Sequence, residues 1–118
     1  VSAIDPDVAG QLAGELPRDV FVSIVRSFEQ DLARLVREMV EAARTGQAED
    51  YRNAAHALAG ASGAIGAKTL EALARQAMRS DDRTPAQQMI LGIGEAAKAA
   101  LTELASLAAP GAERDSAG

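Results

Sequence analysis

From Pro17 to about Arg44 an apolar side chain returns every three or four residues without a break: Val20, Phe21, Ile24, Val25, Phe28, Leu32, Leu35, Val36, Met39, Val40 and Ala43. This is the spacing of one buried face on an α-helix. Arg26, Glu29, Gln30, Arg34, Arg37, Glu38, Glu41 and Arg44 fall opposite and make a solvated face. Roughly 28 residues at 1.5 Å each give a rod about 42 Å long. Its stripe is broader than the a/d seam of a coiled coil, so it predicts several helical neighbours rather than one. Those neighbours must come from the same chain if the protein is a monomer, which is the expected state.

The remaining segments supply them. Ile4-Asp5-Pro6-Asp7 reads as a helix start, with Asp5 as N-cap and Pro6 at the first helical position. That helix is short, turns Val8 and Leu12 inward, and stops at Gly14 or at the Leu16-Pro17 step. Thr45-Gly46 predicts a turn in which Gly46 takes the left-handed position after the long helix. A third helix is expected from Gln47 to about Gly63, and Gly66 then breaks or bends the chain. The fourth runs to about Arg79, with Leu70, Leu73, Ala74, Ala77 and Met78 inward. Ser80 to Pro85 is a polar connection, with Thr84 placed to cap the last helix and Pro85 at its first position. That helix directs Met89, Ile90, Ile93, Ala97, Ala100, Leu101, Leu104 and Leu107 to the core.

No segment alternates as a strand would, and the short turns suit antiparallel neighbours. The fold class is therefore all-α: an up-down antiparallel four-helix bundle with a short extra N-terminal helix. The bundle is expected over residues 1–108, and 109–118, rich in Gly, Ala, Ser and charge, reads as a disordered C-terminal tail.

Composition narrows the chemistry. At 118 residues the chain is one domain. It has no cysteine and a single histidine, which removes thiolate nucleophiles and makes an all-protein metal site improbable, so none is assigned. A net charge of −5 argues against nonspecific nucleic-acid binding. No apolar run approaches a membrane span and no signal-peptide pattern opens the chain, so no membrane partner and a cytoplasmic location are expected. There is neither a G-x-x-x-x-G-K-[ST] loop nor a kinase-type glycine loop, hence no ATP site.

The one histidine, His56, lies in the stretch Arg52–Leu70, among residues with almost no side chain. On a helix Ala54, Ala55, Leu58, Ala61, Ser62 and Ile65 form the buried stripe, and His56 falls about 200° from Leu58, pointing outward. Its own-side neighbours are Ala59, Gly60 and Gly63, a bare surface that reads as a docking face for another protein. Glycine inside a helix costs about 1 kcal/mol relative to alanine, so two of them at exposed positions call for a reason. The plainer reading is close packing between helices, or, at Gly63, the start of a helix end. Arg52 stands one turn before His56 on the same face, and Lys68 follows the break, in a segment free to fold back toward it. Both are candidates for contacting an anion held at the imidazole, and each reads also as a solvated charge, Lys68 more so than Arg52.

The run His56-Ala57-Leu58-Ala59-Gly60-Ala61-Ser62-Gly63-Ala64-Ile65-Gly66 resembles the motif of histidine-containing phosphotransfer (HPt) domains. Leu58, Gly60, Ala61, Ser62, Ile65 and Gly66 match the pattern; Ala59 stands where the family usually has Lys. A polar Gln common in the family's next helix is also absent, its place falling near Met78. The resemblance covers roughly Asp5 to Leu107 and implies the same bundle. It also implies that His56 accepts a phosphoryl group from the aspartate of a receiver domain and passes it to another, in a two-component phosphorelay. The chain would then be a phosphoryl carrier rather than an independent enzyme. The partners implied are response-regulator receiver domains or a hybrid histidine kinase; no cofactor is implied on this chain, Mg²⁺ being expected on the receiver. An imidazole, much of it neutral at physiological pH, is a competent nucleophile for this step.

Rival readings are a non-catalytic bundle adaptor that keeps the motif and, less well supported, a histidine-kinase dimerisation domain. The latter family follows its His with an acidic residue and then a Pro, where this chain has Ala57 and no Pro. A hydrolase built on Ser62 fails because Ala64 stands where G-x-S-x-G requires glycine.

Overall fold

Five helices follow one another in the computed structural model: α1 (Pro6–Glu15), α2 (Arg18–Thr45), α3 (Ala48–Ile65), α4 (Lys68–Met78) and α5 (Ala86–Ala108). The structure describes residues 3–79, 81 and 83–108, with the side chain of Ala108 left aside. The expected tail at 109–118, together with Ser80 and Asp82 of the polar connection, lies outside the described residues. No strand occurs among the described residues.

The helix ends follow local chemistry. Asp5 caps α1, its carboxylate accepting the Asp7 N–H at 3.0 Å with Pro6 next in the chain. Gly46 closes α2 at φ 72°, and the N–H groups of Gly46 and Gln47 both donate to the Ala42 carbonyl. α3 ends the same way at Gly66, φ 80°, whose N–H reaches back to the carbonyls of Gly63 and Ser62. It therefore runs two residues past Gly63, which keeps helical backbone; positive φ among the described residues occurs at Gly46 and Gly66. At α5 the Pro85 carbonyl accepts the Met89 N–H at 3.0 Å, so Pro85 is the residue just outside the helix rather than its first. Thr84 meanwhile accepts a hydrogen bond from Gln76 at 3.3 Å.

The helices pack in the cyclic order α2–α3–α4–α5, closing from α5 back to α2, with α1 laid against α2 and α5. Their shared core holds Phe21, Phe28, Leu32, Leu35 and Met39 from α2, Leu58 and Ile65 from α3, Leu70 from α4, and Met89, Ile93 and Leu104 from α5. Small side chains such as Ala54, Ala55, Ala74 and Ala100 let the axes approach closely. Four residues expected inside are not: Val20 and Val40 are 40% and 44% exposed, Leu107 is 38% exposed, and Ala43 is exposed as well. Each lies at the edge of its stripe or near a helix end, where no neighbouring helix covers it.

The N-terminal segment clamps one end of the bundle. Ile4 is fully buried, and the N–H groups of Ala3 and Ile4 both donate to Glu103 Oε2 on α5, at 2.7 and 3.1 Å. The Asp5 N–H donates to the Gly66 carbonyl at 2.7 Å, tying the same segment to the α3–α4 turn. No helix among the described residues is long and apolar enough to cross a membrane.

Candidate functional site

Which way His56 faces follows from what α3 buries. Ala54, Ala55, Leu58, Ala59, Ser62 and Ile65 are buried, while His56 and Gly60 are exposed. At about 100° per residue, Arg52, Ala59 and Gly63 lie within about 60° of His56 on one side, and Gly60 about 40° away on the other. The first side looks toward α4. Ala59 is only 3% exposed, and an ideal Cβ on Gly63 would lie 2.9 Å from Glu71 Oε2 of α4. His56 thus stands at the rim of the groove between α3 and α4 rather than on a flat helix face.

The docking face expected from the sequence is revised accordingly. Gly60 is uncovered, since a Cβ there would meet nothing within 4 Å. Ala59 does not belong to that face: it is packed inward, where a short side chain admits α4. Gly63 is half-buried, and its missing side chain is filled by the Glu71 carboxylate of this same chain. The packing reading of the glycine therefore holds at 63 and the open-face reading at 60.

Lys68 is the second correction. Its Nζ lies 3.3 Å from Asp5 Oδ2, at the far end of the bundle, beyond the C-terminus of α3. The turn at Gly66 starts α4 there, about nine helical residues or 14 Å from the level of His56. Asp5 in turn is held below the usual carboxylate range, first by the Asp7 backbone N–H and then by the Lys68 ammonium. Arg52 is exposed one turn before His56 on the α4 side, in the place the sequence reading put it.

Glu71 and Arg75, to which the sequence assigns no role, lie on the facing helix. The Nε and Nη2 of Arg75 both donate to Glu71 Oε2, at 3.1 and 2.8 Å, on the α4 wall of the groove. Counting back along α4 from the Glu71–Gly63 contact, Arg75 falls within about one helical turn of His56 along the axis. Met78, packed against the core, comes level with His56 itself. Arg79, just past the end of α4, donates to both carboxylate oxygens of Asp81 at 3.1 and 3.0 Å, and holds that carboxyl below its ordinary range. Only the position of the α3–α4 turn, which sets the register of the two helices, would have disclosed Arg75 from sequence.

Among the described residues no group of three or more His, Asp or Glu side chains is arranged to hold a metal ion. What the site offers is an exposed histidine beside an open glycine, with arginines along one rim. That combination suits attack on an electrophile carried by another molecule.

A family model described as "Hpt domain" matches residues 23–109, from within α2 through α5. The matched span includes His56 and both walls of the groove; α1 lies outside it. Searches of curated proteins and of solved structures gave no match.

Proposed function

The chain belongs to the Hpt domain family, the phosphotransfer domains of two-component systems, and we propose that His56 is its phosphoryl acceptor in a relay between receiver domains. The observation that carries this is the pairing of an exposed His56 with an open Gly60 one turn on. A phosphoryl group is transferred in line, so the attacking nitrogen needs a clear approach and a surface that lets the partner come near. A side chain at position 60 would stand in that approach.

In the forward step the lone pair of the unprotonated ring nitrogen attacks phosphorus of the receiver's aspartyl phosphate. The N–P bond forms, the P–O bond to the aspartate breaks, and the carboxylate leaves with the electron pair. The proton on the other ring nitrogen stays, and the resulting cationic ring is a good leaving group for the next transfer. The receiver supplies Mg²⁺ and its carboxylates; this chain supplies the nucleophile, its placement and local positive charge. Arg52 lies on the same rim and adds to that charge.

Incubation with phosphorylated receiver domains, followed by mapping of acid-labile phosphate, tests the reading. Label on His56 that disappears in His56→Gln is expected. Label that persists in that variant overturns the assignment, and a wild-type chain that takes no label from any receiver favours the adaptor reading. We also propose a cytoplasmic location and a monomeric state, the latter because α3 and α5, with α1 at one end, cover most of the long stripe on α2. Sedimentation at low micromolar concentration giving twice the chain mass would refute the monomer.

A further inference from the structure

Gly63, Glu71 and Arg75 form one connected arrangement across the groove between α3 and α4. Glycine at 63 opens a notch in α3, and the Glu71 carboxylate of α4 sits in it. Glu71 is the less exposed partner, with 26% of its side chain accessible, whereas Arg75 is 63% accessible. The carboxylate is thus lodged in the groove and the guanidinium lies over it on the solvent side. A surface ion pair of this kind contributes little to stability, because water screens it and both side chains lose rotamer freedom. A notch kept for such a pair at the cost of a helix glycine asks for another role.

The position suggests one. On the α4 side of His56, α3 places Arg52 one turn before and the uncharged Ala59 one turn after, and level with Ala59 the facing helix α4 carries Arg75. Its backbone lies within about one turn of His56 along the axis. Neighbouring helices are about 8–10 Å apart, a gap that an arginine and a phosphorylated imidazole span between them. A guanidinium binds phosphate oxygens through parallel N–H···O bonds, and a phosphoryl group carries more negative charge than one carboxylate.

We infer that Arg75 is the phosphoryl-binding cation of this site, held by Glu71 until His56 is phosphorylated and then exchanged from the carboxylate to the phosphoryl oxygens. The inference rests on His56 being the phosphoryl acceptor. Glu71 is a positioning residue: it keeps Arg75 in the groove and competes with the phosphoryl group for it. Removing Arg75 and removing the Glu71 charge therefore have opposite effects on phosphorylation, whereas a merely structural ion pair would respond alike to either loss.

Potassium phosphoramidate is the probe, because it phosphorylates imidazole without a protein partner. The ring nitrogen attacks phosphorus, the donor's P–N bond breaks and ammonia leaves. The rate of N–P bond formation and the ³¹P chemical shift are followed on the full chain by NMR, and the labelled residue is mapped by mass spectrometry. Arg75→Ala is expected to slow labelling of His56 by about tenfold and to move the phosphorus resonance, and Arg75→Lys to restore part of the rate. Glu71→Gln is expected to speed labelling a few-fold, and in the Arg75→Ala background that gain should vanish. A gain that persists in the double variant assigns Glu71 to simple charge repulsion and overturns the exchange. Wild-type label on His56 with an unchanged rate and resonance in Arg75→Ala overturns the role of Arg75 alone. Failure of the wild-type chain to label at His56 overturns the acceptor assignment, and this inference with it.

Discussion

Val8 fills the space that a side chain on Gly66 would need: an ideal Cβ at 66 would lie 2.7 Å from the Val8 Cβ. Gly66 also has φ 80°, a region that L-residues other than glycine enter at a cost. One residue thereby ends α3, turns the chain into α4 and seats α1. Gly66→Ala is expected to destabilise the protein by about 2–4 kcal/mol, combining the left-handed backbone with the displaced contact. Adding Val8→Ala should recover only the contact part. Urea denaturation measures both, and an unchanged midpoint for Gly66→Ala would show that α1 does not rest on the turn.

Gly60 separates function from scaffold. Nothing lies within 4 Å of a Cβ built there, so a larger residue has room. Gly60→Gln is expected to raise stability by up to about 1 kcal/mol, through removal of a helix glycine. The same side chain stands beside the imidazole and should slow phosphoryl transfer by about tenfold or more. Stability and activity then move in opposite directions. A lowered thermal midpoint would contradict the open face, and an unaltered transfer rate would contradict the docking role.

Ser62 is a cost carried inside the bundle. Its hydroxyl is fully buried and has no hydrogen-bond partner among the described residues. An unsatisfied buried hydroxyl is unfavourable, so Ser62→Ala is expected to stabilise the chain by about 1 kcal/mol. Ser62→Val, by contrast, adds volume between close-packed helices and should cost about 1–3 kcal/mol. Thermal melts of the two variants give the signs; a loss with Ala would mean that the hydroxyl finds a partner in solution.

Asp5 links the α1 cap to pH. Its carboxyl is held below the ordinary range by the Asp7 N–H and by Lys68, so the folded state binds this proton more weakly than the unfolded chain. Its contribution is complete above the unfolded value, about 3.9, and disappears as pH falls through the lower folded value. The gap in melting temperature between wild type and Asp5→Ala should therefore be constant near neutrality and close in acid. Asp5→Asn, which keeps a side-chain acceptor for the cap, should show the smaller gap at neutral pH. A gap independent of pH down to about 2, below the ordinary carboxylate value, would remove the charge from the argument.

The elements of this bundle were legible from the sequence because each was set by interactions a few residues long. Asp5-Pro6 starts a helix, Gly46 and Gly66 end helices, and the stripe from Phe21 to Ala42 repeats at the helical period. These depend on backbone capping, on φ preference and on which side chains water rejects. They hold whatever the helices later touch. The outward direction of His56 belongs to the same class, being an angle on its own helix.

What lies beside His56 is another matter. A helical wheel assigns Ala59, Gly60 and Gly63 to one side of α3, but it contains nothing about where α4 will lie. Packing decided that Ala59 is buried, that Gly63 holds the Glu71 carboxylate, and that only Gly60 stays open. It likewise drew Lys68 to Asp5, left Val40 uncovered at the edge of its stripe, and set the Arg75–Glu71 pair on the α4 wall of the groove. Such neighbours are fixed by the rotation and register of one helix against another. Those follow from the summed fit of many side chains and from a turn whose φ only glycine adopts cheaply. The proposed nucleophile could therefore be read from the sequence, whereas its charged surroundings were settled by how α4 packs on α3.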